Sequence, residues 1–443
     1  MVKKYISKIL ICFLTLFYFS SLNFTFVTDA NNYNVGFEPA CYAVLLHNLD
    51  SNCDIYSRNK TEKVYPASLT KIMNYIIVVE NVQDLENTRV EIKKEIIDNL
   101  LGTGSSMSNL KAGESYSINQ LLHCMMIKSG NDAALTLADY VGHGDIGNFV
   151  NMMNKKAEQL GCSNTHFVNP HGLYDENHYT TAEDLLKITK HAMTLPNFVE
   201  ITSKVTSDIL GPGKYPLVTT NSMIDPVRGG KYYYKYAKGI KTGYESQAGR
   251  CLVSTAINNG YTYICIALGG FSEKENQAML DSKNLYQWAF NNLSLKPIID
   301  KNKPIGEVKL KFAWKKDSLQ LLPAGDYSVM LPKSVLASSI DIKLNVPDEV
   351  SATVKVGQKI GTADLFYANN KVATIDVVSG ENVNRNYFVF ILYLLKVIFG
   401  SIWFKIAFFI FLGLVVFYIF SFFRYNKIKR KRKTRKRKKY RYR

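Results

Sequence analysis

The sequence predicts an α+β domain in which helices cover an antiparallel sheet, followed by a small all-β domain and a C-terminal transmembrane helix. Before about residue 295, segments with apolar residues at helical spacing are mixed with short β-rich runs. From Gly306 to Gly380 only short alternating runs occur, separated by turn residues. Trp403–Phe423 is an apolar segment of about twenty residues, which is the length that crosses a bilayer.

Capping residues and a proline mark the starts of the helices. A helix is predicted to begin near Pro66, because proline favours the first helical turn and apolar residues then recur every three or four positions. Ser117, with Gln120 three residues later, predicts a capping box for a second helix. Thr180 and Glu183 predict the same kind of cap for a later helix. These helices supply the layer that covers the sheet.

The sheet is predicted from a set of β-rich runs. Ala43–Leu49 is typical of a buried strand that follows the N-terminal segment. Gly249–Ile257 and Tyr261–Gly269 are joined through Asn259-Gly260, a dipeptide that favours a two-residue hairpin. Lys238–Tyr244 precedes the hairpin and predicts the neighbouring strand. The hairpin makes this part of the sheet antiparallel.

The composition shifts at Lys296-Pro297, where helical periodicity ends. The all-β segment that follows has no cluster of histidine, cysteine or acid that suggests chemistry, so we interpret it as a spacer or binding module. The sequence predicts a signal peptide over 1–30, the α+β domain over 31–295, the all-β domain over 296–381, an interfacial apolar segment over 382–402, a transmembrane helix over 403–423 and a basic tail over 424–443.

The N-terminus is typical of a secretory signal. Lys3, Lys4 and Lys8 precede or enter a largely apolar stretch, and small residues follow at Thr28-Asp29-Ala30. This pattern predicts a mature start near Asn31. An uncleaved anchor helix is the alternative interpretation.

The C-terminal tail determines the expected topology. Residues 424–443 carry fourteen Lys or Arg and no acid, and the positive-inside rule places such a tail in the cytoplasm. We therefore expect a single-pass protein of the cell membrane, with both domains outside and the tail against anionic lipid. A second span at Tyr387–Phe399 would put the tail outside, against the charge rule, so we expect an interfacial helix there.

Charge and cysteine content exclude other classes of protein. The net charge is +18, but fourteen of these charges lie in the tail and only +4 remain elsewhere, so no nucleic-acid-binding face is predicted. Of the seven cysteines, Cys12 lies in the predicted signal, and the others form no CxxC pair or metal-ligand spacing. No metal site and no cofactor are predicted. Disulfides and buried thiols both remain open.

A nucleophile and a base are predicted at the start of the first helix. Ser68 and Lys71 are three residues apart and share a helix face, so the amine can reach the hydroxyl. The Ser68 amide lies at a positive helix N-terminus, where it can donate to an oxyanion. Lys71 can accept a proton only if burial and a nearby cation lower its pKa from about 10.4. Ser57 and Lys60 repeat the spacing in a polar segment at a strand end, so that pair is the weaker candidate.

A second element, Ser129 with Asn131, follows the end of a helix in a tight turn, and Gly130 is expected to take the unusual backbone conformation there. The Ser129 hydroxyl is suited to relay a proton between Lys71 and a leaving amine. The Asn131 amide is suited to hold either a substrate carbonyl or Lys71 itself.

The third element is Lys241-Thr242-Gly243 on the predicted strand. Lys241 and Thr242 would hold a carboxylate, and Gly243 would let another backbone approach closely. Lys241 would also lower the pKa of Lys71. Each element alone is a weak signal, but the three in this order predict a serine acyl-transferase that acts on an anionic substrate.

These residues resemble a known family. Tyr65–Lys71, Ser129–Ala134, Asn169–Leu173 and Lys241–Gly243 are similar to motifs of the low-molecular-mass penicillin-binding proteins, which are serine-type D-alanyl-D-alanine carboxypeptidases. The resemblance covers about residues 35–380. It implies the penicillin-binding/β-lactamase-like fold for the α+β domain, and the signal, β domain and membrane-bound C-terminus suit the same family.

The resemblance implies an enzyme that removes the terminal D-alanine from peptidoglycan pentapeptide stems through a Ser68 acyl-enzyme. β-Lactams would acylate the same serine. Lys71 would be the base, Ser129 the proton relay and Asn131 a contact to the substrate amide. His171 falls where members of the family carry a histidine in the loop beside the site, and it is a further candidate.

The sequence departs from the family in the region that binds the substrate carboxylate. The resemblance implies that Lys241 and Thr242 bind it. Tyr244 follows them where some members have histidine, and residues 270–285, where relatives often place a carboxylate-binding arginine, contain none. Lys274 is one substitute, and otherwise Lys241 and Thr242 must suffice.

Three other functions remain open from the sequence. A β-lactamase needs a base that hydrolyses the acyl-enzyme quickly, for which Glu176 and Glu183 are candidates, although a helix cap already explains Glu183. A D,D-endopeptidase would apply the same chemistry to cross-links. A catalytically silent wall-binding protein would keep the fold, but it would be expected to lose Ser68, Lys71 or Lys241, and all three are present.

Overall fold

The computed structural model describes residues 33–368 and 370–439. The signal peptide predicted over residues 1–30 lies outside the described residues. The chain divides into two compact units. The first runs to Ile299 and includes Asp326–Lys343 and Asp364–Thr374, and the second comprises Asp300–Gly325, Leu344–Ala363 and the chain from Ile375 onward. The predicted limits at residues 295 and 381 stay predictions.

The strands and helices are numbered in chain order. The strands are β1 (Ala43–Asn48), β2 (Cys53–Arg58), β3 (Arg89–Glu91), β4 (Ser115–Ser117), β5 (Thr206–Ser207), β6 (Leu217–Val218), β7 (Ala237–Glu245), β8 (Gly249–Asn258), β9 (Tyr261–Gly270), β10 (Leu293–Ile299), β11 (Gly306–Lys311), β12 (Ser318–Pro323), β13 (Tyr327–Pro332), β14 (Asp341–Asn345), β15 (Glu349–Ser351), β16 (Lys359–Tyr367) and β17 (Asn370–Ser379). The helices are α1 (Lys71–Asn81), α2 (Lys94–Asp98), α3 (Ile118–Ile127), α4 (Asn131–Val141), α5 (Ile146–Gln159), α6 (Ala182–Ala192), α7 (Phe198–Thr202), α8 (Gln277–Asn292), α9 (Tyr387–Gly400) and α10 (Ile402–Lys439).

The first unit is built on a five-stranded antiparallel sheet with the order β2-β1-β9-β8-β7. Both faces of the sheet are covered. Along β1, Ala43 and Leu45 belong to a core that includes α1, α3 and α4, whereas Val44 and Leu46 belong to a core that includes α8. A strand buried on both faces reads as an uninterrupted apolar run, which explains the sequence of β1. The predicted α+β architecture is confirmed.

The hairpin between β8 and β9 forms as predicted. Asn259 and Gly260 have φ values of 52° and 80°. Positive φ at both central residues is the requirement of the tight turn that Asn-Gly favours. This turn sets the register of β8 and β9, and β7 pairs with β8 to become the edge of the sheet.

The first helix begins later than the sequence pattern predicts. Ala67–Thr70 forms a separate 3₁₀ turn, and the α-helical hydrogen bonding of α1 starts at Lys71. Every residue of α1 from Lys71 to Val78 is buried. A helix that is buried all round runs through the core of the domain. The start of α1 is therefore held by packing from several directions.

One of the two capping boxes lies where it was predicted. Ser117 and Gln120 cap α3 reciprocally. The prediction for α6 is wrong by one residue, because Thr181 is the cap and its hydroxyl accepts from the Asp184 amide at 3.0 Å. The backbone of Thr180 instead exchanges two hydrogen bonds with Val64, so the chain is still extended there.

The loop before α6 packs tightly on the 3₁₀ turn at one glycine. Gly172 has a φ of +93°, and a Cβ on it would lie 1.9 Å from the Ala67 carbonyl oxygen and 2.9 Å from Thr70 Oγ1. Only glycine therefore fits this position. The contact fixes the loop against the turn that contains Ser68.

The second unit contains part of the all-β segment together with the C-terminal helices. Its strands contribute to a six-stranded sheet with the order β14-β16-β17-β12-β11-β15. Leu319 and Leu321 of β12 are fully buried and alternate with more exposed neighbours, as the period-two pattern predicts. Phe312 packs its ring on Phe390 and Tyr393 of α9, at centroid distances of 5.2 and 5.0 Å. The predicted all-β domain is confirmed.

The helix α10 is the one helix in the described part of the chain that is long and apolar enough to cross a membrane. The candidate span covers Ile402–Arg430, and none of it is buried within the protein. The helix α9 is apolar but has only fourteen residues, which is shorter than a bilayer requires. The C-terminal helix therefore fits a membrane anchor.

The six cysteines within the described residues are all buried and free. Burial raises the pKa of Cys251 to about 11 and that of Cys265 to about 12. These thiols therefore stay protonated at neutral pH. Of the two interpretations left open by the sequence, the structure shows buried thiols.

Replacing Gly172 with alanine should destabilise the protein more than replacing Gly161. Both glycines have a positive φ, so alanine costs about 1–2 kcal/mol at either position. A Cβ at residue 161 meets nothing within 4 Å, whereas one at residue 172 collides with Ala67, and such overpacking adds about 1–3 kcal/mol. Urea unfolding of the two variants measures the difference. Equal losses would contradict the close packing of this loop.

Candidate active site

The predicted motifs meet at one cleft of about 350 Å³ in the first unit. The predicted site residues that line the cleft are Ser68, Ser129, Asn131, Thr242 and Gly243. The two lysines lie behind this surface and are almost fully buried, with exposed fractions of 0% and 1% for residues 71 and 241. The motifs that are far apart in the sequence are thus brought together by the 3₁₀ turn, the end of α3 and the edge strand β7.

The Lys71 amine has three neighbours at hydrogen-bonding distance. Its Nζ lies 2.8 Å from Ser68 Oγ, 2.6 Å from Asn131 Oδ1 and 2.8 Å from the carbonyl oxygen of His171. The last two atoms are oxygens that only accept hydrogen bonds. A neutral amine has two N–H groups for these oxygens and one lone pair for the Ser68 hydroxyl. The arrangement therefore suits an uncharged Lys71 that accepts the proton of Ser68.

The surroundings of Lys71 favour this uncharged form. Burial and, next in size, the positive charge of Lys241 lower the pKa of Lys71 well below its ordinary value. The carboxylates of Asp132 and Glu245 act in the opposite direction, but more weakly. Desolvation and a like charge are the two effects that make a lysine a base near neutral pH.

The turn after α3 places Ser129 beside Lys241. The Nζ of Lys241 donates to Ser129 Oγ at 2.8 Å and to the carbonyl oxygen of Thr242 at 2.9 Å. Burial lowers the pKa of Lys241 to about 7. The lysine that was predicted to contact a substrate carboxylate is thus engaged with Ser129 and lies beneath the cleft surface. A direct contact of Lys241 with the carboxylate stays a prediction.

The backbone of this turn differs from the expectation for Gly130. The left-handed residue is Ser129, with a φ of 64°, whereas Gly130 has a φ of −62°. Glycine is required at residue 130 for space, because a Cβ there would lie 2.1 Å from Ser108 Oγ and 2.5 Å from Asp132 Oδ1. The strained position in the turn is therefore Ser129 itself, the predicted proton relay.

The strand β7 runs directly beside Ser68. A Cβ on Gly243 would lie 3.1 Å from the carbonyl oxygen of Pro66 and 3.2 Å from the amide nitrogen of Ser68. The absence of a side chain at residue 243 lets the strand approach the Ser68 backbone. On the cleft side, the Thr242 hydroxyl is hydrogen-bonded to the Thr220 hydroxyl.

His171 contacts the Lys71 amine through its backbone. Its carbonyl oxygen accepts from Lys71, while its buried ring accepts the Leu173 amide at Nδ1. Burial and the neighbouring Lys71 lower the pKa of His171 to about 3, so the ring is neutral at physiological pH. Asn169 shapes the loop by accepting from the Gly172 amide at 2.7 Å and donating to the Leu173 carbonyl at 2.9 Å.

Sequence reasoning missed several residues that support the site. Buried Asn74 of α1 donates to the carbonyl oxygens of Ala134 and Pro170, and so ties three elements together. The Asp132 carboxylate accepts from the amides of Ser108 and Leu110, which follow the cleft-lining residues 104–106 in the chain. A buried asparagine in an apolar helix was a signal available in the sequence, but its partners were not.

The candidate residues of the competing β-lactamase hypothesis lie elsewhere. Glu183 is 3.5 Å from Lys60 on another part of the surface, and Glu176 is exposed. Neither is among the described residues that line the cleft. The structure thus offers no position for either glutamate as a base that hydrolyses the acyl-enzyme.

Comparisons with known proteins identify the family. The family model described as D-alanyl-D-alanine carboxypeptidase matches residues 36–272, and that described as penicillin-binding protein 5, C-terminal domain, matches residues 294–385. The chain is 29% identical to D-alanyl-D-alanine carboxypeptidase DacF of Bacillus subtilis, over 78% of this chain and 86% of that protein. It is 30% identical to DacA of Haemophilus influenzae, over 76% and 84%. The crystal structure of penicillin-binding protein 5 from Haemophilus influenzae matches with a TM-score of 0.64 at 27% identity, over 79% and 99% of the two chains.

Acylation by a fluorescent penicillin should weaken as the pH falls, because the charged form of Lys71 cannot accept a proton. Replacing Lys241 with glutamine removes a neighbouring positive charge, so the pKa of Lys71 should rise and the loss of activity should move to higher pH. Acylation rates across a pH series measure the shift. Lys238→Gln, an exposed position on the same strand, is the control and should leave the profile in place. An unmoved profile in Lys241→Gln would contradict the coupling of the two lysines.

Proposed function

The chain belongs to the D-alanyl-D-alanine carboxypeptidase family and is a serine-type enzyme of peptidoglycan metabolism, and we propose that Ser68 is its nucleophile and Lys71 its base. The contacts of the Lys71 amine carry this proposal. Its two N–H groups donate to two oxygens, so its lone pair is left to accept from the Ser68 hydroxyl. A serine is a weak nucleophile until such a base takes its proton.

The first half of the reaction forms the acyl-enzyme. Ser68 Oγ attacks the carbonyl carbon of the penultimate D-alanine, and its proton passes to Lys71 Nζ. Negative charge then develops on the carbonyl oxygen, and the Ser68 amide donates to it. The bond to the terminal D-alanine breaks once its nitrogen has received a proton. Water later cleaves the Ser68 ester and releases the shortened stem.

The proton of the leaving nitrogen travels through Ser129. Its hydroxyl lines the cleft and is hydrogen-bonded to the Lys241 ammonium. A hydroxyl both donates and accepts, so it can pass a proton from Lys71 to the leaving group. Lys241 holds the Ser129 oxygen in place and keeps positive charge close to Lys71. This assigns Lys241 a positioning and electrostatic role.

Substrate contacts come from both walls of the cleft. The Oδ1 atom of Asn131 accepts a hydrogen bond from Lys71, which leaves the Nδ2 group of Asn131 to donate to a substrate carbonyl. Thr242 and Gly243 form the opposite wall along β7. A β-lactam presents a reactive carbonyl and a carboxylate in similar places, and would acylate Ser68 in the same way.

The C-terminal helix anchors the enzyme beside its substrate. We propose that α10 crosses the membrane once, with the catalytic unit outside the cell and the basic tail in the cytoplasm against anionic lipid. The apolar, fourteen-residue α9 would lie at the membrane surface. Peptidoglycan lies on that outer side, so this topology brings the cleft to the stem peptides.

Purified full-length enzyme should release D-alanine from diacetyl-Lys-D-Ala-D-Ala. Ser68→Ala should lower the rate by at least about 10³-fold, since no other group can form the acyl-enzyme, and penicillin should block the release. Acylation by penicillin without release of D-alanine would indicate an endopeptidase that requires cross-linked stems. Absence of both would contradict the enzyme assignment and leave a wall-binding protein.

Topology is tested separately in protoplasts of cells that express the chain with a tag after Arg443. A membrane-impermeant fluorescent β-lactam should label Ser68 in intact protoplasts, and external protease should leave the tag intact until the membrane is opened. Ser68→Ala is the control for the labelling. A tag that protease removes from intact protoplasts would show that α9 and α10 both span the membrane.

A further inference from the structure

Neither of the two lysines that were predicted to bind the substrate carboxylate is placed to do so at the cleft surface. Lys274 is exposed and does not line the cleft among the described residues. The Lys241 ammonium is directed to Ser129 and the Thr242 carbonyl. A free carboxylate at the end of the stem peptide needs a charged donor if recognition is to be strong. The cleft must therefore supply one from another element.

Arg250 lines the same cleft as Ser68 and Thr242. It is the second residue of β8, and it pairs with Tyr244 of β7 on one side and Gly270 of β9 on the other. Gly270 is the first residue of the segment 270–285, in which the resemblance led us to expect an arginine and the sequence has none. Arg250 on the adjacent strand β8 thus provides a cation at the cleft, and no lysine or arginine among the described residues of 270–285 lines it.

The guanidinium of Arg250 is held in place by a ring contact, and no polar partner for it is found in the part of the chain that the structure describes. It lies 5.2 Å above the centre of the Tyr244 ring, a cation–π arrangement that restricts its position. Its Nε is buried, and among the described residues it has no hydrogen-bond partner. A buried N–H without an acceptor is costly, and such groups are rare unless a ligand or water completes them.

The groups around Arg250 suit a carboxylate. The Thr220 and Thr242 hydroxyls line the same cleft, and a guanidinium presents parallel N–H groups that match the two carboxylate oxygens. Glu245 also lines the cleft but forms no ion pair with Arg250 in the part of the chain that the structure describes. The guanidinium is therefore available to an incoming anion.

We propose that Arg250 binds the C-terminal carboxylate of the D-alanyl-D-alanine substrate, with the Thr220 and Thr242 hydroxyls as neighbouring contacts. This inference rests on the proposed function, because it places the peptide carbonyl at Ser68. Arg250 is a specificity-determining residue: it selects stems with a free terminal carboxylate and takes no part in proton transfer.

The test compares two peptides that differ only at the carboxylate. Full-length enzyme and Arg250→Gln are assayed for kcat/KM on diacetyl-Lys-D-Ala-D-Ala and on its C-terminal amide. The variant should lose about 10- to 100-fold on the acid and change less than about twofold on the amide, since a charge-assisted contact is made only with the acid. Arg250→Lys keeps the positive charge but lacks the two parallel N–H groups of the guanidinium. Its kcat/KM on the acid should therefore lie between those of the wild-type enzyme and Arg250→Gln.

Lys274→Gln is the matched control and also tests the rival cation. It should leave the ratio of acid to amide rates unchanged, and a collapse of that ratio in Lys274→Gln alone would overturn the proposal. An Arg250→Gln variant that loses equally on acid and amide would also overturn it, because that result indicates a structural role in packing on Tyr244. The thermal unfolding midpoint of each variant confirms that the compared proteins are folded.

A second measurement separates this inference from the proposed function. Acylation of Ser68 by benzylpenicillin and by its methyl ester does not require turnover of a peptide. Arg250→Gln should slow acylation by the acid and spare the ester. If wild-type enzyme releases no D-alanine but this difference is present, the carboxypeptidase mechanism fails and the role of Arg250 stands. If D-alanine is released and the difference is absent, only the role of Arg250 fails.

Discussion

The contact between the buried Lys71 amine and Ser68 Oγ is the interaction on which the rest of the site depends. The amine can accept the Ser68 proton only while it is uncharged. That state requires burial of the amine away from water and two acceptors for its N–H groups. Asn131 on α4 and the backbone of His171 supply the acceptors. The nucleophile, the helix α4 and the loop before α6 must therefore all be in place at once. This explains why α1, from which Lys71 projects, is buried along most of its length.

Close backbone contact, rather than additional side chains, holds these elements together. Gly172 meets the Ala67 carbonyl at a distance that leaves no space for a Cβ, and Gly243 lies against Pro66 and the Ser68 amide, where a Cβ would be tightly crowded. The short 3₁₀ turn is thus fixed between a loop and an edge strand. Thr70 adds a side-chain connection, because its hydroxyl donates to the Ala67 carbonyl and lies 2.8 Å from His178 Nε2. The oxygen of Ser68 is positioned by the chain on both sides of it, which is the arrangement that preorganised catalysis requires.

Much of the architecture was predictable from local patterns, whereas the partners within the site were not. The Asn259-Gly260 hairpin and the Ser117 capping box depend on neighbours in the sequence, and both form as predicted. The cap of α6 was displaced to Thr181 because Thr180 pairs with Val64, more than a hundred residues away. For the same reason the sequence could propose two partners for Asn131 without choosing Lys71. Motif spacing indicates which residues belong to one site, but long-range pairing decides what each of them contacts.

The chemistry of the site and the recognition of the substrate are built into different parts of the fold. Lys71 and Lys241 are almost fully buried, so the removal of either changes the desolvated core that surrounds α1 and the end of α3. Arg250 is only partly buried and projects from β8 at the rim of the same cleft. Arg250 lies at the start of β8, where that strand pairs with the end of β9. In the proposed role of Arg250, substrate recognition can therefore change at this position without disturbing the buried lysines.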